Sequence, residues 1–269
     1  MSNPLLGYDR SGAGEPLVLL HGFGSTRDDF AALIGDLAED FDVLAIDLPG
    51  HGGSPMIAER PSVAALTDAV EADLDAHGLG RVHVLGNSLG GRVAIELARR
   101  DRALSVVAIS PSGLGVPLER AHQGAMMITS RMINRARYPW LEVLSQTPAG
   151  RSALLAGMRA LPWRASPAEA LTMKSGFADQ TGFWTTLWNA IMIDVPTGLH
   201  RISCPVIVTQ GVLDIVGSGQ TPRYTPLIPG ARFVLLPGAG HAPQSDTPQT
   251  IIEMVGSAAA RAERLVVAA

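Results

Sequence analysis

Gly86-Asn87-Ser88-Leu89-Gly90 sets a hydroxyl between two glycines, after the apolar run Val82–Leu85 and ahead of a helical pattern opening at Leu89. That context predicts a tight strand-to-helix turn holding Ser88 in a strained backbone with its Oγ exposed. Gly86 and Gly90 are expected to lack side chains because strand and helix pack closely there. A serine needs a base. Of the histidines at 21, 51, 77, 83, 122, 200 and 241, His241 has the fitting setting, in the Gly-rich loop Pro237-Gly238-Ala239-Gly240-His241-Ala242-Pro243 just after the last strand run. His21 is read as organising its own loop, His51 as a rim residue able to touch substrate, and His77 and His83 as solvated or packed.

The base in turn needs an acid to set its tautomer. Gly211-Val212-Leu213-Asp214 ends another strand run, which makes Asp214 the expected acid. Asp47, in a turn ahead of Ser88, is expected to be structural, and Asp246 to be a surface or helix-entry residue. The strand after Ser88 ends in Ser110-Pro111 and offers no carboxylate. Two N–H groups should face a developing oxyanion: Leu89 at the helix N-terminus, and Phe23 in His21-Gly22-Phe23-Gly24. No His spacing suits a metal, so neither metal nor cofactor is expected.

The elements that must position these residues follow from the hydrophobic pattern. Largely apolar runs at Leu17–Leu20, Val43–Ile46, Val82–Leu85, Val106–Ile109, Val206–Thr209 and Phe233–Leu236, rather than alternating ones, suggest strands buried on both faces. Helical periodicity between them, at 28–39, 63–76, 88–100 and 248–264, predicts an α/β fold with a mostly parallel, doubly wound sheet. Asp28 and Asp29 are read as first-turn acids that favour the helix dipole. Residues 113–199 break this rhythm. They read as several short helices separated by Pro117, Pro139, Pro148, Pro162, Pro167 and Pro196, and they hold all four Trp and six of the nine Met. Some of these apolar residues are expected to line a pocket.

Composition limits the alternatives. The chain has 269 residues with 29 Gly and 19 Pro, 46% hydrophobic and 17% charged residues. That excludes a disordered chain or a coiled coil and fits one large domain with an insertion. Net charge is −4, and Lys174 is the one lysine among 21 basic residues, with no basic block to meet nucleic acid. Without a basic leader before a long apolar run, or about 18 consecutive apolar residues, the chain is expected to be soluble, cytoplasmic and not membrane-inserted. Cys204 stands alone and is expected to pack as a small hydrophobe.

The motifs together resemble the α/β-hydrolase superfamily: His21-Gly22-Phe23-Gly24, Asp47-Leu48-Pro49-Gly50-His51-Gly52-Gly53-Ser54, Gly86 to Gly91, Gly211 to Asp214 and Gly240-His241-Ala242-Pro243. The order Ser88, Asp214, His241 is the order that family uses. The resemblance implies a hydrolase core over 1–112 and 200–269, and a helical cap over 113–199 inserted after the sixth strand. Haloalkane dehalogenases and epoxide hydrolases of the superfamily carry Asp where this chain has Ser88. The expected activity is therefore cleavage of a carboxylic ester of a small to medium hydrophobic molecule through an acyl-enzyme on Ser88, by a monomer or small homo-oligomer. His51, Asn87, Met127, Trp140, Trp184 and Trp188 are the candidate substrate contacts. Two alternatives stand. The Gly-Asn-Ser-Leu-Gly-Gly segment is similar to that of carbon–carbon hydrolases of ring-cleavage products, which carry Trp where this chain has Ala242 and need a cation such as Arg92 or Arg131. The His-Gly-Phe-Gly loop is similar to that of hydrolase-derived small-molecule receptors.

Overall fold

Five of the six apolar runs become strands buried on both sides; the sixth, Phe233–Leu236, is a strand at the sheet edge with Phe233 and Leu235 exposed. Seven strands form one sheet in a computed structural model that describes residues 6–137, 140–217 and 219–267. Pro139, one of the expected helix dividers, lies outside the described residues. The strands are β1 (Tyr8–Ser11), β2 (Glu15–Leu20), β3 (Phe41–Ile46), β4 (Val82–Asn87), β5 (Ala103–Ile109), β6 (Val206–Gly211) and β7 (Arg232–Leu236), in the spatial order 1-3-2-4-5-6-7. All pairings are parallel except β1 with β3. All six apolar runs are strands. The seventh, β1, has the sequence Tyr-Asp-Arg-Ser and is exposed along its length, so it carried no apolar signal.

Successive side chains of a strand point to opposite faces, and β2 shows the result. Val18 and Leu20 join Val63, Leu66, Val70 and Val93 in one core, under α2 (Val63–Ala76) and α3 (Leu89–Arg99). Leu17 and Leu19 join Phe30, Leu33, Ile251 and Val255 in the other. That second face is covered by α1 (Ala31–Leu37), entered through a 3₁₀ turn at Arg27–Phe30, and by the C-terminal helix Pro248–Val267.

Between β5 and β6 the elements are helical: α4 (Pro117–Arg137), α5 (Leu141–Ser145), α6 (Pro148–Leu155), α7 (Pro167–Asp179), α8 (Phe183–Thr186) and a π-helical stretch, Leu187–Ile193. Pro148 and Pro167 begin helices rather than interrupt them, because proline at the first position forfeits no hydrogen bond. Ser166 and Glu169 close a capping box around the start of α7. Helix α4 runs for 21 residues, longer than the short helices expected, since no proline falls between Pro117 and Arg137. This segment follows the fifth strand rather than the sixth, because one short strand alone precedes β2 among the described residues.

The chain leaves β2 toward β3 on one side and returns to β4 on the other. The carboxyl ends of β2 and β4 therefore flank the point where strand order reverses, which is where open α/β sheets place ligands.

Candidate active site

Ser88 follows the last residue of β4 and precedes the first of α3, at φ 54° and ψ −108°. Its side chain caps nothing, so the backbone conformation is not there to serve the helix. It exists because strand and helix meet almost in contact. A Cβ on Gly86 would lie 2.3 Å from the Gly90 carbonyl oxygen, and one on Gly90 would lie 2.0 Å from the Leu20 carbonyl oxygen. The Ser88 N–H donates to the Ile109 carbonyl at 2.8 Å, tying the turn to β5. Leu89 opens α3, so its N–H has no intrahelical acceptor.

His241 is held from three directions. Its Nδ1 lies 3.0 Å from both Oδ1 and Oδ2 of Asp214. The Asn87 side-chain amide donates to its backbone carbonyl at 3.0 Å. Asp246 accepts the Gly240 N–H at 2.9 Å and the Ala160 N–H at 2.9 Å, pinning the loop to the helical segment. Asp246 is therefore not the surface residue expected; its side chain is buried and also pairs with Arg159 at 3.3 Å. The Ala242 N–H donates to the Met158 carbonyl at 2.9 Å, and a Cβ on Gly240 would strike that carbonyl.

Asp214 is buried, and burial alone would push its pKa up. The His241 charge and hydrogen bond, the Gly217 N–H and the Ser110 hydroxyl outweigh that and draw it down to about 2. Val216 and Gly217 donate backbone N–H groups to Oδ1 at 2.8 and 2.9 Å, and Ser110 Oγ donates to Oδ2 at 2.7 Å. Ser110 was passed over in the sequence for offering no carboxylate. It sits at φ 45° at the end of β5, and its hydroxyl serves the carboxylate of the neighbouring strand.

His21 is fully buried, with Nδ1 donating to the Gly22 carbonyl at 2.7 Å and Nε2 accepting the Leu48 N–H at 2.9 Å. Both ring nitrogens are thus used to brace the Phe23 loop. Burial lowers its pKa to about 4. Burial and the neighbouring His21 lower that of His51 to about 3. Asp47 accepts the Arg27 N–H at 2.8 Å and the Gly53 N–H at 2.8 Å, a structural brace for the turn.

Ser88, His241, Asn87 and Phe23 share the wall of one cavity that opens to solvent. Most of the remaining lining is apolar and comes from the helical segment: Met126 and Met127 from α4, Met158, and Met173 and Phe177 from α7. Met127 is therefore where the sequence reading put it. The tryptophans are not. Trp140, Trp184 and Trp188 are 62%, 56% and 61% exposed and are absent from the cavity wall. Helical phase decides this: Trp184 and Trp188 share an outward face, while Phe183, Leu187 and Ile191 face inward. His51 is also absent from the wall; it lies behind Phe23, its ring centroid 6.0 Å from that of Phe23 and 5.1 Å from that of His21. Arg92 pairs with Asp194 at 3.2 Å, and Arg131 stacks over the Phe183 ring and donates to the Phe177 carbonyl at 2.9 Å. Among the described residues no arginine lines the cavity. Asp29 does line it, and the sequence reading missed this because an acid in a first helical turn reads as a dipole partner. No group of three or more His, Cys, Asp or Glu suited to a metal occurs among the described residues, and no described helix is long and apolar enough to cross a membrane.

Known proteins resemble this chain. Over 258 residues the chain is 29% identical to a pimeloyl-[acyl-carrier protein] methyl ester esterase of Nitrosomonas europaea, covering 91% of this chain and 95% of that protein. It is 39% identical over 111 residues to the dihydrolipoyllysine-residue acetyltransferase component of the acetoin cleaving system of Cupriavidus necator; that match takes in 40% of this chain and spans 30% of that protein's length. The enol-lactonase from Burkholderia xenovorans LB400 has the same fold, with a TM-score of 0.74 at 22% identity over 94% of this chain and 95% of that one. The description "alpha/beta hydrolase family" matches residues 17–254, and the chain belongs to that family.

Proposed function

We propose that the protein is a serine hydrolase that cleaves a carboxylic ester of a small to medium hydrophobic substrate. The observation that carries this reading is the line from Asp214 to His241 at 3.0 Å, with His241 and Ser88 opening onto one apolar cavity. Ser88 Oγ attacks the acyl carbon while His241 takes its proton through Nε2, the ring nitrogen not engaged by Asp214. The carboxylate holds the productive tautomer and stabilises the imidazolium that forms. The N–H groups of Phe23 and Leu89 hold the oxyanion, each worth ~3–4 kcal/mol of transition-state stabilisation. His241 then returns the proton to the leaving alcohol, and water repeats the cycle on the acyl-enzyme. The helical segment over 113–199 acts as a cap whose methionines shape the acyl or alcohol site.

A serine rather than an aspartate at position 88 favours ester over epoxide or haloalkane chemistry. The absence of a lining arginine disfavours carbon–carbon cleavage of a carboxylate-bearing product, since Arg92 and Arg131 are engaged elsewhere. The esterase and lactonase names of the relatives point to the same bond. The test is Ser88→Ala against an activated short-chain ester and a fluorophosphonate probe. Turnover and labelling should both disappear while the fold is retained; unchanged turnover would overturn the assignment.

A further inference from the structure

Among the described residues that line the cavity, one carries a carboxyl. Asp29 lies in the 3₁₀ turn after the Phe23 loop, is 8% exposed, and lines the cavity together with Ser88 and His241. It enters no ion pair among the described residues, whereas each of the other buried acids lies within ion-pair distance of a basic side chain: Asp47 of Arg27, Asp73 of His77, Glu96 of Arg99, Asp214 of His241. Beside it in the same wall, the Ser25 hydroxyl is 92% buried. It comes close enough to temper the acidity of Asp29, yet meets no protein partner with hydrogen-bonding geometry. Asp29 and, beside it, Ser25 thus stand in the wall of a chamber whose other lining away from the catalytic residues is mostly apolar.

We propose that Asp29, with Ser25, forms a polar subsite that selects substrates bearing a hydrogen-bond donor on the arm reaching the 3₁₀ turn, and rejects substrates bearing a carboxylate there. The reason is elementary. A buried carboxyl that lacks a cation stabilises a hydroxyl or ammonium group by accepting its hydrogen bond, and a second carboxylate brought beside it in low dielectric is repelled. The site rests on the reading of Ser88 as the esterolytic nucleophile.

The protonation of Asp29 gives a second handle. Burial pushes its pKa up to about 6; the Ser25 hydroxyl, His241 and Arg159 pull against that rise, and Asp28 reinforces it. Arg159 is itself paired with Glu169 at 3.1 Å and with Asp246. Asp28 and Glu169 line the outer pocket on the far side of Asp29, next to α7. These are the charged groups that face it. As the pH falls through about 6 the wall loses its charge, and discrimination against a carboxylate should fade.

The experiment compares kcat/KM ratios within each enzyme, so that any general loss of rate cancels. Acyl-arm probes are 4-nitrophenyl hexanoate, 6-hydroxyhexanoate and hemiadipate. Alcohol-arm probes are phenyl hexanoates carrying 4-hydroxymethyl or 4-carboxylate. Relative to the neutral ester, Asp29→Asn should raise the carboxylate ester at least tenfold and lower the hydroxy ester on one of the two arms. In the unmodified protein, about three-quarters of Asp29 is protonated at about pH 5.5 against about one per cent at about pH 8. Its carboxylate-to-neutral ratio should therefore rise several-fold on acidification, a change that Asp29→Asn abolishes. This second readout needs no variant to fold. Turnover of the neutral esters with ratios unchanged on both arms overturns the subsite. No turnover, with no fluorophosphonate labelling of Ser88, overturns the hydrolase reading on which it rests.

Discussion

Replacing Ser88 by glycine should make the protein more stable than replacing it by alanine, although both variants lose the proposed nucleophile. At φ 54° and ψ −108° a residue with a Cβ is outside the regions open to L-amino acids, and such a conformation costs ~1–3 kcal/mol. Alanine retains that strain, because it retains the Cβ. It forfeits little else, since the Ser88 side chain caps no helix. Glycine removes the strain but loses more chain entropy on folding, ~0.5–1 kcal/mol. At the middle of both ranges the difference leaves Ser88→Gly ahead of Ser88→Ala by ~1 kcal/mol. For a chain of this length, at ~2 cal/mol/K of unfolding entropy per residue, that corresponds to about 2 °C in Tm. Urea unfolding followed by circular dichroism, supported by calorimetry, reads the difference directly. A glycine variant equal to or less stable than the alanine variant would show that the turn stores no strain. The argument from the close approach of Gly86 and Gly90 to opposing backbone would then fail with it.

Other expectations follow from the same geometry. Asp214→Asn should lower kcat by roughly 10⁴-fold by loss of the correct His241 tautomer. Since the folded pKa of Asp214 is depressed, to about 2 against ~3.9 unfolded, its ionised form contributes ~2–3 kcal/mol above about pH 4. That contribution is lost as pH falls from about 4 to 2, so the stability gap between wild type and Asp214→Asn should close over this window in urea titrations. His21 and His51 are buried neutral, with folded values of about 4 and 3. Below about pH 6.5 the unfolded chain binds a proton at each of these histidines that the folded chain refuses, while Asp29, raised to about 6, binds one in the opposite sense. His51→Gln removes one of the two histidine protons, so stability should fall by ~1.4 kcal/mol less per pH unit near pH 5 than in the unmodified protein, read from urea midpoints between pH 7 and 5. Gly90→Ala sets a Cβ 2.0 Å from the Leu20 carbonyl oxygen, a backbone atom that cannot swing away. It should destabilise by more than ~3 kcal/mol and displace Ser88, measured by denaturation and by loss of esterase turnover.

What the sequence determined by itself was what depends on local pattern. Strands buried on both faces must be largely apolar, so five of the six runs could be read from burial; the edge strand β7 is apolar in sequence yet exposes Phe233 and Leu235, and the exposed edge strand β1 had no apolar pattern to show. The nucleophile turn and the His241 and Asp214 loops were legible because backbone crowding dictates glycine at set spacings from a polar side chain, and crowding leaves its record in neighbouring residues. The tertiary structure alone decided which side chains share a space. Met127 and Trp184 are equally apolar to a sequence reader, yet the phase of their helices turns one into the cavity and the other to solvent. Asp29 and Asp246 read as ordinary helix-end acids; packing of the 3₁₀ turn buries the first in the cavity wall, and the loop around His241 closes over the second. Ser110 meets Asp214 because parallel pairing of β5 with β6 brings two strand ends 104 residues apart in the chain to within a hydrogen bond. Burial and cross-strand contact are properties of the whole fold, so no local spacing can encode them.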